Sequence, residues 1–359
     1  MNADLQNTFL AILRLGAGLG EYNGLPRSLN QEDWEALYDM SGQQGVKAIV
    51  YDGVMALPEA ERPPQELLRK WARKARKAEK QAAIQLKLGS ELSLLFKNNG
   101  IRTYLLKGAV IAECYPVPSH RRSNDMDIFL VPAEGEFDAW ERGNSLAEEV
   151  GFRVGRSYYK NSTIYLPEIA VENHQFMVPI REGRLLKEME LLLQKLLRED
   201  RGEDIIKDTD LCRPPVMVSA LFLIEHSYSH FLHEGMSWRY VLDWLMFSRR
   251  HQSEINWPEL EGYINKYGMR LFYDSYTSMC RILEGQAGEL SDNDKKMLAD
   301  TWASLDAPET ARGIKGKLTL AAISWRARWK YRFFTESTWM KSFITKVSGF
   351  LFNRHPKLI

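Results

Sequence analysis

The sequence predicts an α+β protein, a small mixed-sheet domain set between two helical regions. Three observations carry this reading. Apolar residues recur at helical spacing up to about residue 98, the pattern changes to short alternating runs from Ile101, and helical spacing returns beyond about residue 183. The expected organisation is an N-terminal helical region over 1–98, an α/β core over 99–182 and a C-terminal helical domain over 183–359. No internal repeat and no low-complexity linker interrupts it.

Taken in order, Ser28 and Asn30 ahead of Glu32 and Asp33 signal a helix start, and Trp34, Leu37 and Tyr38 give it an apolar stripe. LLRKWARKARKAEKQAAIQLKLGSELSLLFKNNG reads as one long helix ending at Asn99-Gly100. Its basic first half is either a phosphate grip or the solvated face of a helix. IRTYLL is a strand ending at Lys107-Gly108, AVIAECY a helix leaving that glycine, PVPSHRRSN a loop and DMDIFLV a strand. EGEFDAWERGNSLAEEV is an amphipathic helix closed by Gly151. The strands RSYYKNSTIYL and AVENHQFMV follow, with Pro167 and Glu168 near their turn. Helices then run through RLLKEMELLLQKLLRED, VMVSALFLIEHSYSHFLHEG, SWRYVLDWLMFSRRH and WPELEGYINKYG, with Pro214 and Pro215 suiting the start of the second.

With 45% apolar residues in 359, the chain can fill the cores of two or three domains. Lys plus Arg number 48 against 47 Asp plus Glu, so no global field draws the protein to nucleic acid or anionic lipid, and no stable nucleic-acid complex is expected. Any charged function is local. Cys114, Cys212 and Cys280 are odd in number and far apart, which fits core thiols in a reducing cytosol. The start, MNADLQNTFLAILRLGAG, lacks the basic region and cleavage site of a secretory signal, and no run reaches the roughly 18 apolar residues of a membrane span. A cytoplasmic location is expected.

Asp125 and Asp127 stand two apart at the head of an apolar strand, so they share one face while Met126, Ile128 and Leu130 enter the core. Two such close carboxylates repel and call for a cation, and magnesium prefers hard oxygen ligands of this kind. The bland alternative is a strand end whose acids merely stay hydrated. Glu172, in the alternating run VENHQF, supplies a third acid if its strand pairs beside DMDIFLV, which makes a two-metal site feasible. On that reading either Asp125→Asn or Asp127→Asn leaves the melting temperature unchanged or slightly higher.

The order of Lys107-Gly108, Asp125-Met126-Asp127 and a later strand acid resembles the nucleotidyltransferase superfamily that shares its fold with DNA polymerase β. Within it the chain looks closest to the bacterial nucleotidyltransferase family 5, through LLKG, a Tyr-Pro, an arginine, DMDIFLV, Glu172-Asn173-His174 and HSYSHFLHEGMSWRYVLDW. The likeness spans roughly residues 85 to 285. The chain departs from the wider pattern at Gly108-Ala109, where Gly-Ser or Gly-Gly is usual, and at Glu172, where Asp is usual.

The resemblance implies transfer of a nucleoside monophosphate from an NTP to an acceptor, a small molecule ahead of tRNA or protein. Asp125, Asp127 and Glu172 would hold one or two magnesium ions, with Glu172 alternatively the base for the acceptor hydroxyl. Lys107, Gly108 and the backbone at Ala109 would meet the triphosphate, and Arg121 or Arg122 its γ-phosphate. Each of these cations has loop solvation as its rival role. His174 either touches the site or is a hydrogen-bonded strand histidine. His230, Arg239 and Asp243 are expected in the cleft that takes acceptor or base.

His226, His230 and His233 sit at helical spacing, but Glu225 precedes the first histidine, unlike the HExxH zinc motif. Interior hydrogen bonding explains them better. The tail, ISWRARWKYRFFTESTWMKSFITKVSGFLFNRHPKLI, interleaves aromatics and cations, which suits packing of a helical pair or contact with a membrane surface. A catalytically impaired nucleotide-binding or regulatory protein that retains the fold is the alternative function.

Overall fold

The computed structural model describes residues 3–156, 159–286, 288–303, 325–335, 340 and 344. Four long helices come first: α1 (Ala3–Gly16), α2 (Gln31–Gln43), α3 (Lys47–Met55) and α4 (Gln65–Lys97). Asn30 caps α2 in a reciprocal pair with Asp33, as the sequence signal implied. Along α4, Trp71, Ala75, Gln85, Gly89, Leu92 and Phe96 form the buried stripe that lays it over the sheet.

The sheet and its connections follow: β1 (Ile101–Leu105), α5 (Ala109–Ala112), β2 (Met126–Pro132), α6 (Ala139–Glu149), β3 (Arg153–Gly155), β4 (Asn161–Tyr165) and β5 (Ala170–His174). Then come α7 (Arg184–Glu199), β6 (Leu211–Cys212), α8 (Val216–His233), α9 (Trp238–Arg250), α10 (Trp257–Lys266), α11 (Arg270–Glu284) and α12 (Asp292–Trp302). A further helix covers 325–334. The protein is α+β, as its alternation of periods predicted.

Strand order is β3-β4-β5-β2-β1-β6. Central β2 runs antiparallel to β1 and parallel to β5, and is buried along nearly its whole length. Gly89 lets α4 lie directly on the head of this strand: a Cβ there would come within 2.4 Å of the Met126 side chain. α4 therefore clamps the strand end that carries the two aspartates.

Two strands went unforeseen. β3 and β6 are three and two residues long, too short to show a period of two. β6 comes from beyond residue 182 and pairs with β1, Thr103 opposite Leu211. The tail expected to pack or to meet a membrane lies mostly outside the described residues. Its described part, the helix over 325–334, buries Tyr331, Phe334 and Lys330, whose ammonium donates to the Phe231 carbonyl at 2.7 Å and pairs with Asp300 at 2.9 Å. Among the described residues no helix is long and apolar enough to cross a membrane.

Candidate active site

In the β2–β5 ladder Asp127 stands directly opposite Glu172, and Phe129 opposite His174. Parallel pairing keeps alternate residues on one face, so Asp127, Glu172 and His174 converge. Asp127 is almost wholly buried; its Oδ1 lies 3.0 Å from His174 Nε2, and Glu172 Oε2 lies 3.6 Å from the same nitrogen. His174 Nδ1 faces the Phe176 carbonyl at 3.2 Å. Both ring nitrogens thus meet acceptors, which the imidazolium satisfies and the neutral ring cannot. Burial opposes that charge, but the bonds to Asp127 and Glu172 prevail and hold the His174 pKa above its ordinary value.

The opposite face of β5 locks this geometry. Buried Asn173 donates to Asn144 Oδ1 at 2.9 Å and to the Trp140 carbonyl at 3.1 Å, while Trp140 Nε1 donates back to the Asn173 carbonyl at 3.0 Å. Helix α6 is thereby bonded to the strand residue between Glu172 and His174.

Lys107 follows β1 and turns inward. Its Nζ lies 3.1 Å from Asp127 Oδ2 and 3.8 Å from Asp125 Oδ1, with the side chain largely buried. Neutralising the acids, not solvating a loop, is its role in this state. Burial opposes its charge too, and Asp127 and Asp125 outweigh that, raising its pKa. The two aspartates differ. Burial likewise opposes ionisation of Asp127, yet Lys107 and His174 hold its carboxyl far below the usual range; burial and the neighbouring Asp127 push Asp125 up. Glu172 is lowered, chiefly by its bond to His174. Gly108 has φ +79°, a left-handed conformation that explains the glycine, but neither it nor Ala109 lines the cleft described below.

The acids floor a cleft of about 590 Å³ whose other wall is α8 and α9. Lys160 and Asn161 edge it from the start of β4. Leu223, His226, Ser227 and His230 line it from α8, and Arg239, Tyr240, Asp243 and Trp244 from α9. Asp243 is not free for an acceptor: Arg121 grips it with Nε at 2.9 Å and Nη2 at 2.7 Å, and Tyr115 donates to it at 2.7 Å. Arg121 reaches the cleft wall with its fork thus occupied, and exposed Arg122 lies outside the lining. Arg239 makes no ion pair with a described residue and rests over the Tyr240 ring, 5.0 Å from its centre. His230 stacks on Tyr240 at 5.1 Å and 25°.

His226 is half-buried, edge-on to His230 at 4.4 Å, and desolvation drives its pKa well below the ordinary value. His230 bonds Glu234 at 2.8 Å, and the Tyr331 hydroxyl lies 3.0 Å from His233 Nδ1. These histidines are tied into aromatic and hydrogen-bonded contacts.

Among the described residues the one group of donor atoms close enough to share an ion is Asp127, Glu172 and His174, within 4.8 Å of one another. Asp127 Oδ2 accepts no well-directed hydrogen bond despite its burial and the nearby Lys107 charge, so a lone pair is available. The two carboxylates fit a divalent ion that prefers oxygen ligands, with His174 as their hydrogen-bond partner. Asp125 faces the same cleft and senses both Asp127 and Glu172. Lys160, Asn161 and Tyr240 drew no attention in the sequence, since only the strand pairing and the α9 orientation bring them here.

A mixed sheet thus presents acids and an imidazole to a cleft walled by helices. The family described as uncharacterised nucleotidyltransferase matches residues 30–285, and the chain belongs to it. That membership supports a nucleotidyl-transfer role. No curated protein and no solved structure matches the chain.

Proposed function

We propose that the protein transfers a nucleoside monophosphate from a magnesium-bound NTP to an acceptor hydroxyl or phosphate. The observation that carries this is the Asp127–Glu172 register, which sets two carboxylates under a cleft that Arg239 also lines. A divalent ion held by Asp127, with Asp125 alongside, would supply charge neutralisation at the triphosphate. His174 holds Asp127 in place. Lys107 leaves the acids for the phosphate oxygens as the ligand enters, and Arg239 meets the phosphates that Arg121, locked to Asp243, does not. The Tyr240 ring, stacked on His230, holds Arg239 at the cleft. The acceptor oxygen bonds to the α-phosphorus, the bond to pyrophosphate breaks, and Glu172 takes the acceptor proton unless it holds a second ion.

The experiment is incubation with α-labelled NTPs, magnesium and pooled metabolites or RNA, reading acceptor-bound label and pyrophosphate. Label and pyrophosphate formed by the wild type and lost in Asp127→Asn and Glu172→Gln support the reading. Tight magnesium-dependent NTP binding with no turnover on any pool would favour the second reading, a nucleotide-binding regulator, for which Ala109 speaks by removing the usual turn hydroxyl.

A further inference from the structure

A second charged feature lies outside the cleft. Helix α4 exposes Lys70, Arg73 and Lys74, Lys47 opens α3, and exposed Arg122 stands on the loop before β2. Two of these side chains meet over one ring: the ammonium groups of Lys47 and Lys70 lie 3.5 and 4.5 Å from the centre of Tyr38. The charge of Arg73 reaches the Tyr38 hydroxyl, and those of Lys74, Lys70 and Arg122 reach the Lys47 ammonium. Burial first, and these like charges next, bring the Lys47 pKa down to about 8 against the pull of Asp39.

Exposed Asp39 offsets the cluster in part, without an ion pair to any of the five among the described residues. Asp52 and Glu79, which reach the neighbouring surface, are both taken by His120, at 2.7 and 2.9 Å. Among the described residues none of the five cations forms an ion pair. Gathered like charges repel, and a polyanion relieves that repulsion while releasing its own counterions. Tyr38 is 4% exposed, covered by the two ammonium groups and edge-on to Trp71, so it offers no face to a base. The patch therefore suits phosphates rather than bases.

The patch is joined to the cleft along the chain. Arg122 follows Arg121, which lines the cleft, and precedes Asp125 by three residues; Gln85 of α4 holds their shared loop by donating to the Ser123 carbonyl at 3.1 Å. We propose that this patch binds the phosphodiester backbone of a single-stranded nucleic acid without regard to sequence and directs its end into the cleft as the acceptor. The binding stands on the patch alone; the acceptor role rests on the transfer reading above. In that role the terminal hydroxyl oxygen bonds to the α-phosphorus of the NTP and pyrophosphate leaves. The near-zero net charge confines the attraction to this face.

The test is fluorescence anisotropy of a labelled oligoribonucleotide of about twelve nucleotides, titrated at several KCl concentrations. The expected log–log salt slope is about −3, and Lys70→Gln/Arg73→Gln/Lys74→Gln flattens it by about 2, at about 0.7 per phosphate contact. Magnesium-NTP binding and the melting temperature of that variant stay at wild-type values. No RNA binding at low salt, or a slope unmoved in the triple variant, overturns the proposal, as does binding of phosphatidylglycerol vesicles in place of RNA. RNA binding that persists while magnesium-NTP binding is absent sinks the transfer reading and leaves the patch standing.

Discussion

The ammonium of Lys107 lies 3.1 Å from the buried carboxylate of Asp127. It fills the role of the cation that two neighbouring aspartates require. Removing it as Lys107→Met leaves a buried, half-neutralised acid, a change that costs about 3–5 kcal/mol. Because the variant's site carries one more uncompensated negative charge, manganese binding in the absence of nucleotide rises by about tenfold, near 1.4 kcal/mol. Thermal melts with and without manganese check both: the variant melts low and recovers more on adding metal. Equal manganese shifts in both proteins would mean that Lys107 does not compete for the acids.

The two aspartates separate on stability, contrary to the equal behaviour that the sequence suggests. Asp125 carries a raised pKa, so Asp125→Asn holds or slightly raises the melting temperature. Asp127 is the partner of both Lys107 and His174, and Asp127→Asn strands two buried cations. It lowers stability by about 3–5 kcal/mol as well as ending metal-dependent NTP binding. Chemical denaturation of the two variants side by side decides it; matching midpoints contradict the assignment.

His120 makes stability depend on pH. Burial disfavours its charge, but hydrogen bonds with Asp52 and Glu79 raise its folded-state pKa above the ordinary value of about 6.5. A raised value means that the folded state binds the proton more tightly. The contribution is full below pH about 6.5 and is lost as pH climbs through the folded value, and two bonds to a charged ring are worth about 1.5–3 kcal/mol each at most. Urea midpoints should fall from pH 6 to pH 9 in the wild type and flatten in His120→Gln. A wild-type curve no steeper than the variant's would remove the histidine from this role.

Asn173→Ala tests the brace behind the site. It deletes two donated bonds and leaves the Asn144 and Trp140 oxygens short of a partner, for about 1–3 kcal/mol. Since Glu172 and His174 flank it, manganese affinity falls although no ligand is altered. Asn173→Asp, which keeps the shape and loses the donors, is expected to weaken manganese equally; unchanged affinity in both would show that the strand holds its own register.

Much of the framework is legible in the residues. Period-two runs place β1, β2, β4 and β5, and the spacing of Asp125 and Asp127 marks the strand head that the structure brings opposite Glu172. What stays hidden depends on non-local partners. Arg121 reads as a loop cation because Asp243, its partner, lies 122 residues away. Lys107 reads as a phosphate ligand because nothing local shows it folding back on the acids. Asn173 looks like a spacer between two functional residues, since its work is done on the far face against α6. The patch around Tyr38 reads as one basic helix face, and only the packing of α2, α3 and α4 adds Lys47 and Arg122 to it.

The parallel pairing of β2 with β5 has a bearing on synthesis. Asp127 and His174 are 47 residues apart, and such pairing closes late because the intervening chain must fold before its two strands can meet. Until then the strand head has Lys107 as its near counter-charge, already made on the neighbouring β1. A nascent chain thus carries its acidic strand head already counter-charged before the residues that complete the cluster arrive.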